Sequence, residues 1–371
     1  MNILIYSPSG HRAVDQQSQA ELLMSLGHTV FLLTWTAPGA LHENFERLGA
    51  KTFSAESVKG RSVFFFIRQA SFLVKFCREH HIDVVFSNLQ PNAIAAGLAK
   101  YFIKAKTIYI RHNADYFHLK SSVKDKWLNR LANFLSPRIM AISGNVRTAL
   151  LKEGVRDSKI IRINLCYNFD QYATERKFNM QEIRSRMKTD FVILYMARLD
   201  SLKGHTDAFE AIWQLREQGK PCTLLCIGEG PYRPMLEKWI AEHNMQDYIV
   251  LEGFITNAFD YIEAADIMLL LSRSEASNNA VKEAGMCKRT AIVCRGVGDF
   301  EEYLVHGQNG FLVSKQDPIP ETAEVISALH DDTVALRQAG EKLYHTITTT
   351  FGMEPVRPLY EKLLSEGGVQ K

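Results

Sequence analysis

The feature that most constrains this chain is an alternation of short, β-rich apolar runs with longer segments of helical period, met in the first half and again in the second. Strands are read at Asn2–Tyr6, Thr29–Leu33, Val84–Ser87, Thr107–Ile110 and Ile139–Ile142, then at Phe191–Met196, Thr223–Ile227, Ile267–Leu271 and Ala291–Cys294. Strands alternating with helices imply parallel sheets, because a parallel pair needs a crossover long enough to hold a helix, and helices then cover both faces. Between the two series lies a polar stretch without period, Gln171–Asp190, which reads as a linker. At 371 residues the chain also exceeds one ordinary core. The expected plan is α/β, with two Rossmann-like domains at 1–168 and 191–371, a linker at 169–190, and a last helix that can return to the first domain.

Charge and cysteine usage narrow the class. The six cysteines form no C-x-x-C pair, so neither a disulfide framework nor a structural metal is expected, and a reducing cytoplasm fits. The apolar run Ile3-Leu4-Ile5-Tyr6 lacks the basic region of a signal peptide, and no run reaches the ~18–20 apolar residues that span a bilayer. Net charge is only +3, yet residues 1–170 hold 22 basic against 12 acidic side chains while the remainder is acidic. Such asymmetry points to a partner. Within Lys59–Arg78, Arg61, Arg68, Lys75 and Arg78 are interleaved with Phe64, Phe65, Phe66, Ile67, Phe72, Leu73 and Phe76. This pattern suits peripheral contact with an anionic membrane, at the inner face of the cell membrane, and equally a helix packed on the sheet with a basic edge. A nucleic-acid partner is not expected.

In open parallel sheets ligands bind beyond the carboxyl ends of the strands, so the loops there hold the candidate chemistry. The strand Phe191–Met196 runs into Ala197-Arg198-Leu199-Asp200-Ser201-Leu202-Lys203-Gly204, followed by a helical stretch with apolar Ala208, Ala211, Ile212 and Leu215. Free N–H groups at a helix start, an Arg fork and a Lys point charge together answer a diphosphate without a metal, although two surface cations have the same spacing. After Ile267–Leu271 come Glu275 and Glu283, separated by seven residues, with Asn278 or Asn279 able to cap the helix between them. Both carboxylates can face one crevice, and both can equally be solvated.

These segments resemble the retaining family 4 glycosyltransferases of the GT-B fold, whose two glutamates stand seven residues apart and whose diphosphate-binding Arg and Lys fall at Arg198 and Lys203. Weaker signatures follow in the same order: Gly27-His28-Thr29-Val30, Ala141-Ile142-Ser143 with Gly154-Val155, Tyr167-Asn168-Phe169-Asp170, Gly228-Glu229-Gly230-Pro231, and Gly296–Glu302 with Gly307-Gln308-Asn309-Gly310. The resemblance implies two domains facing each other across a donor-binding cleft. It implies that Arg198 and Lys203 hold the diphosphate and that Glu283 binds the ribose. Glu275 and the segment Ala276, Ser277, Asn278 and Asn279 are then set against the donor sugar, Phe254 and Ile255 against the base, and His112, at a strand end, toward the sugar. It also implies that Gly10 binds the donor, in the amino-terminal loop Ser7-Pro8-Ser9-Gly10-His11, which here lacks the Gly-Gly pair that closes over the diphosphate in many relatives.

Further departures are Ala276 and Asn278 in the first glutamate's loop, Lys288 where the family often has Gly, and Asp299 within the usual Gly-Gly. The implied function is a hexosyltransferase acting from a nucleotide diphosphate sugar, a UDP-sugar ahead of a GDP-sugar, on a glycan or lipid-linked acceptor in polysaccharide assembly. No Asp-x-Asp occurs, so neither metal nor cofactor is expected. The rival readings are a GT-B-fold nucleotide-sugar epimerase and a non-catalytic nucleotide-sugar-binding partner protein.

Overall fold

The computed structural model describes residues 1–11, 13–55, 63–114, 122–169, 180–255 and 258–365. Lys59, Arg61 and residues 170–179, most of the first half of the expected linker, lie outside them. The chain divides into two compact units, Met1–Asn168 with Phe351–Lys371, and Phe169–Thr350.

The first unit is built on a seven-stranded parallel sheet in the order β3-β2-β1-β4-β5-β6-β7. Its strands are β1 Asn2–Ser7, β2 Thr29–Thr34, β3 Lys51–Ser54, β4 Val84–Asn88, β5 Lys106–Arg111, β6 Arg138–Ala141 and β7 Ile160–Arg162. Central residues such as Ile3, Leu4, Val85 and Phe86 are fully buried, as parallel strands covered on both faces must be. The closing helix Met353–Ser365 belongs to this unit: Tyr360 packs on Phe86 with ring centroids 6.0 Å apart, and Lys106 Nζ donates to the Leu364 carbonyl at 3.1 Å.

The second unit holds a six-stranded parallel sheet in the order β10-β9-β8-β11-β12-β13. Its strands are β8 Val192–Met196, β9 Thr223–Ile227, β10 Ile249–Gly253, β11 Ile267–Leu270, β12 Ala291–Cys294 and β13 Phe311–Val313. The four strands that sequence reading missed, β3, β7, β10 and β13, are the four sheet edges. An edge has one neighbour and less burial, so it can be short or carry polar residues, and its pattern fades.

One expectation is corrected. The stretch read as linker up to Asp190 contains the helix Met180–Ser185, whose Arg184 donates to the Ala264 carbonyl at 2.8 Å and pairs with Asp266 at 2.5 Å. Its polarity reflects a helix that buries little, only Ile183, rather than absence of structure. The basic aromatic segment forms the helix Val63–Glu79, which buries Phe66, Leu73 and Phe76 and exposes Phe64, Ile67 and Phe72. No helix among the described residues is long and apolar enough to cross a membrane.

Candidate active site

In the second unit the carboxyl end of β8 passes into a 3-10 turn, Ser201–Lys203, opened by Asp200, whose side chain accepts from Leu202 N at 3.1 Å. Gly204 then starts the helix His205–Glu217 at φ +67°, and a Cβ there would lie 2.1 Å from the Leu271 carbonyl oxygen. Only glycine fits both the left-handed conformation and that contact. The buried Tyr195 ties the turn to the neighbouring strand: its hydroxyl donates to the Lys203 carbonyl and accepts from Leu271 N at 2.9 Å. Burial raises the Tyr195 pKa well above the usual phenol range, so the hydroxyl keeps the proton it donates.

The loop after β9 lies against the same turn. Cβ atoms at Gly228 and Gly230 would stand 2.0 Å from the Ala197 and 2.2 Å from the Leu199 carbonyl oxygens, and Leu199 N donates to the Glu229 carbonyl at 3.1 Å. The G-x-G-P sequence is thus a backbone requirement of the Arg198 loop. Arg198 itself is exposed and has no hydrogen-bond or ion-pair partner among the described residues. Gly253, at φ +91°, leads into Phe254, whose ring is 73% exposed, and Ile255; the Gly253 carbonyl accepts from Gly228 N at 2.8 Å.

Beyond β11, Arg273 N donates to the Leu202 carbonyl at 2.7 Å and the Arg273 guanidinium pairs with Asp207 in the first turn of the phosphate-type helix. This staple brings Glu275 to Lys203, Oε1 to Nζ 2.6 Å, across 72 residues of sequence. Asn278 caps the following helix, Asn279–Met286, by accepting from Val281 N at 3.1 Å, and Glu283 sits in its second turn. The turn therefore sets Lys203 and the start of a helix beside a paired carboxylate, with Arg198 exposed earlier in the same loop.

Lys282, which sequence reading passed over, explains the Asp299 departure. Its ammonium is 3.0 Å from Asp299 Oδ2, 2.7 Å from Ser277 Oγ and 3.1 Å from the Asn278 carbonyl, and both charged side chains are 1% exposed. Ser277 Oγ also donates to Asp299 Oδ2 at 2.6 Å. The Ser277 hydroxyl, the Asn278 side-chain oxygen and the Asn278 carbonyl are thus engaged in internal bonds. Gly298, at φ +60°, lets the Asp299 loop approach Glu275: a Cβ there would be 2.9 Å from the Glu275 Cβ. Lys288 sits at φ +56°, which is why its position favours glycine. The signal missed was a Lys one residue before Glu283 together with an Asp in the Gly-rich turn, a charge pair with no local spacing rule.

His205, at the start of the helix His205–Glu217, is 3% exposed, and neither ring nitrogen has a hydrogen-bond partner among the described residues. Burial, with the Lys203 charge nearby, pushes its pKa down to about 4. The ring is held neutral and packs against Tyr195, centroids 4.7 Å apart.

His112 and Gly10 belong to the first unit. His112 follows β5, with Nε2 2.9 Å from Asn88 Oδ1 and Nδ1 3.9 Å from Asp15 Oδ2. Desolvation lowers its pKa, outweighing the Asp15 charge that raises it. The end of β5 is anchored by Arg111, fully buried and bound to Glu153 at 2.8 Å and Asn129 at 2.6 Å. Gly10 N donates to Thr36 Oγ1 at 2.7 Å, and a Cβ on Gly10 would reach 3.0 Å from the Ala37 carbonyl oxygen and the His42 ring. Without a Gly-Gly pair, the amino-terminal loop is fixed by the loop after β2.

Two families match. Residues 17–171 match Glycosyltransferase Family 4, and residues 190–332 match Glycosyl transferases group 1. The N-acetyl-alpha-D-glucosaminyl L-malate synthase of Bacillus anthracis is 24% identical over 98% of this chain and 96% of its own length. The alpha-monoglucosyldiacylglycerol synthase of Acholeplasma laidlawii is 23% identical over 81% of this chain and 80% of its own. Among solved structures, Anabaena HepE in complex with UDP and glucose superposes with a TM-score of 0.82 at 19% identity, covering 98% of this chain and 99% of that one. Sucrose-phosphate synthase from Thermosynechococcus elongatus gives 0.78 at 16% identity, over 98% of each chain. With two parallel-sheet Rossmann-like units of the GT-B type and both family matches in place, the chain belongs to the family 4 glycosyltransferases.

Proposed function

We propose that this enzyme moves a hexose from a nucleotide diphosphate sugar, a UDP-sugar in the first place, to a hydroxyl of a glycan or lipid-linked acceptor, with retention of configuration and without a metal ion. The observation that carries the reading is the Lys203–Glu275 pair, 2.6 Å apart, beside Arg198 at the start of the helix His205–Glu217. As the sugar–diphosphate bond breaks, positive charge grows on the sugar ring and negative charge on the departing phosphate. Cations that meet that phosphate once the donor is bound, together with a helix dipole, stabilise the transition state. Arg198 and Lys203 take this role, with Lys203 exchanging Glu275 for phosphate when donor binds. Glu275 and the backbone of Ala276–Asn278 position the sugar, Glu283 the ribose, Phe254 and Ile255 the base, and His112, kept neutral, hydrogen-bonds the sugar.

UDP and glucose in HepE, and the sugar-transferring names of the relatives, support this donor class. The name of the alpha-monoglucosyldiacylglycerol synthase relative supports a glycan or lipid-linked acceptor. We assign the activity to the cytoplasmic side, where six free thiols remain reduced.

Thermal shift across UDP- and GDP-sugars tests donor choice, since a ligand at 100 times its dissociation constant adds about 2.7 kcal/mol. NMR of the product's anomeric centre tests retention. Release of an epimerised sugar without acceptor, or no turnover with any donor that binds, counts against the proposal.

A further inference from the structure

The helix Val123–Leu135 buries Leu128, Ala132 and Leu135 against its unit, yet turns a second apolar stripe outward. Val123, Trp127 and Phe134 are 86%, 62% and 76% exposed, and with the exposed Arg130 they recur at one-turn and two-turn spacing on a single face. Lys124 and Lys126, also exposed, flank them. Helices joining β3 to β4, β4 to β5 and β5 to β6 all cross the sheet in the same direction, so right-handed crossovers put them on the same side. The Val63–Glu79 helix, which packs on the other side of the Leu89–Ala99 helix, therefore adds Phe64, Ile67 and Phe72 with Arg68, Lys75 and Arg78 to the same layer. The end of the Leu89–Ala99 helix adds exposed Tyr101 and Phe102 beside Lys104.

We infer that this helix layer is a docking surface for an anionic lipid bilayer, with Trp127 and Phe134 entering the headgroup boundary and the surrounding lysines and arginines meeting lipid phosphates. Charge decides between occupants. Seven exposed cations stand among these aromatics, against exposed Glu79 and Asp83 and the half-buried Asp125, so the face keeps an excess of positive charge and a second copy presenting it is repelled. Lysine is depleted at protein–protein interfaces, whereas aromatic rings ringed by Lys and Arg suit a lipid boundary, where the long stems lie on the apolar zone and the charges reach phosphate. Sequence reading placed membrane contact on the Lys59–Arg78 stretch alone; the structure adds the Val123–Leu135 face, which is less basic in sequence but more exposed.

The test uses the full chain and needs no donor, so it stands or falls apart from the transfer reading. Sedimentation with vesicles of phosphatidylglycerol and phosphatidylcholine at low salt is compared with phosphatidylcholine alone, and tryptophan emission is followed in parallel. Binding to the anionic vesicles only is expected, with a blue shift. The Trp127→Phe variant should still bind but lose most of that shift. The paired change Trp127→Ser with Phe134→Ser should weaken binding at least tenfold. Lys126→Glu with Arg130→Glu should weaken it by more than the roughly fivefold expected for each cation removed. These side chains are exposed, so unchanged circular dichroism and melting are expected and keep the comparison valid. Absence of sedimentation, or binding indifferent to both paired variants, overturns the inference. So does a concentration-dependent dimer that the Trp127→Ser, Phe134→Ser change abolishes, which would assign the face to a second copy.

Discussion

Replacing Lys282 with methionine roughly keeps the volume of the side chain and removes its charge together with the hydrogen bonds it donates to Ser277 Oγ and the Asn278 carbonyl. The ammonium and Asp299 Oδ2 are 3.0 Å apart and both side chains are 1% exposed. At an effective dielectric constant of about 20, opposite charges at that separation attract by roughly 5 kcal/mol, and breaking a buried pair by deleting one partner costs about 3–5 kcal/mol. After the change Asp299 keeps the bond from Ser277 Oγ, while its Oδ1 has no hydrogen-bond partner among the described residues even in the parent. Lys282→Met should therefore destabilise the second unit by about 3–5 kcal/mol, a fall in melting temperature on the order of 10 °C for a unit of this size. Lys282→Met combined with Asp299→Leu removes the stranded charge and should recover most of the loss. Urea unfolding of the parent, both single variants and the double variant closes the cycle. A Lys282→Met cost below ~1 kcal/mol, or a double variant no more stable than Lys282→Met, refutes the reasoning.

Three further outcomes are expected. Glu283→Ala should chiefly raise the donor KM, whereas Glu275→Ala and Arg198→Ala should lower kcat on the order of 10²-fold, because in the proposed roles only the latter pair faces charge that changes during the reaction; near-normal kcat in Glu275→Ala would show the roles are wrong. Since His205 titrates near 4 folded and 6.5 unfolded, the unfolded chain takes up the proton first as pH falls. Its contribution is therefore complete above pH 6.5 and lost toward pH 4, about 3 kcal/mol in all, and His205→Gln should flatten that part of the urea-stability profile. Activity should survive excess EDTA; a strict need for magnesium or manganese, restored on adding the ion back, would contradict a diphosphate answered by side chains.

Periodicity alone determined the fold class, because parallel strands buried on both faces read as unbroken apolar runs and their crossover helices keep a 3.6-residue period. It did so for the central strands and failed at the edges: Lys51-Thr52-Phe53-Ser54 and Ile160-Ile161-Arg162 lack the double burial that creates the signal. Local chemistry also determined the glycines and caps, since Gly204, Gly228 and Asn278 satisfy demands of their own backbone or of one adjoining loop. What only the tertiary structure decided is what lies across the sheet order. The meeting of Lys203 with Glu275, the use of Ser277 and Asp299 to bury the Lys282 charge, the neutral His205, and the outward stripe of Val123, Trp127 and Phe134 have this origin. Each depends on which side chains are desolvated and which are left outside. Burial is a property of neighbours brought together by folding, so no spacing along the chain encodes it.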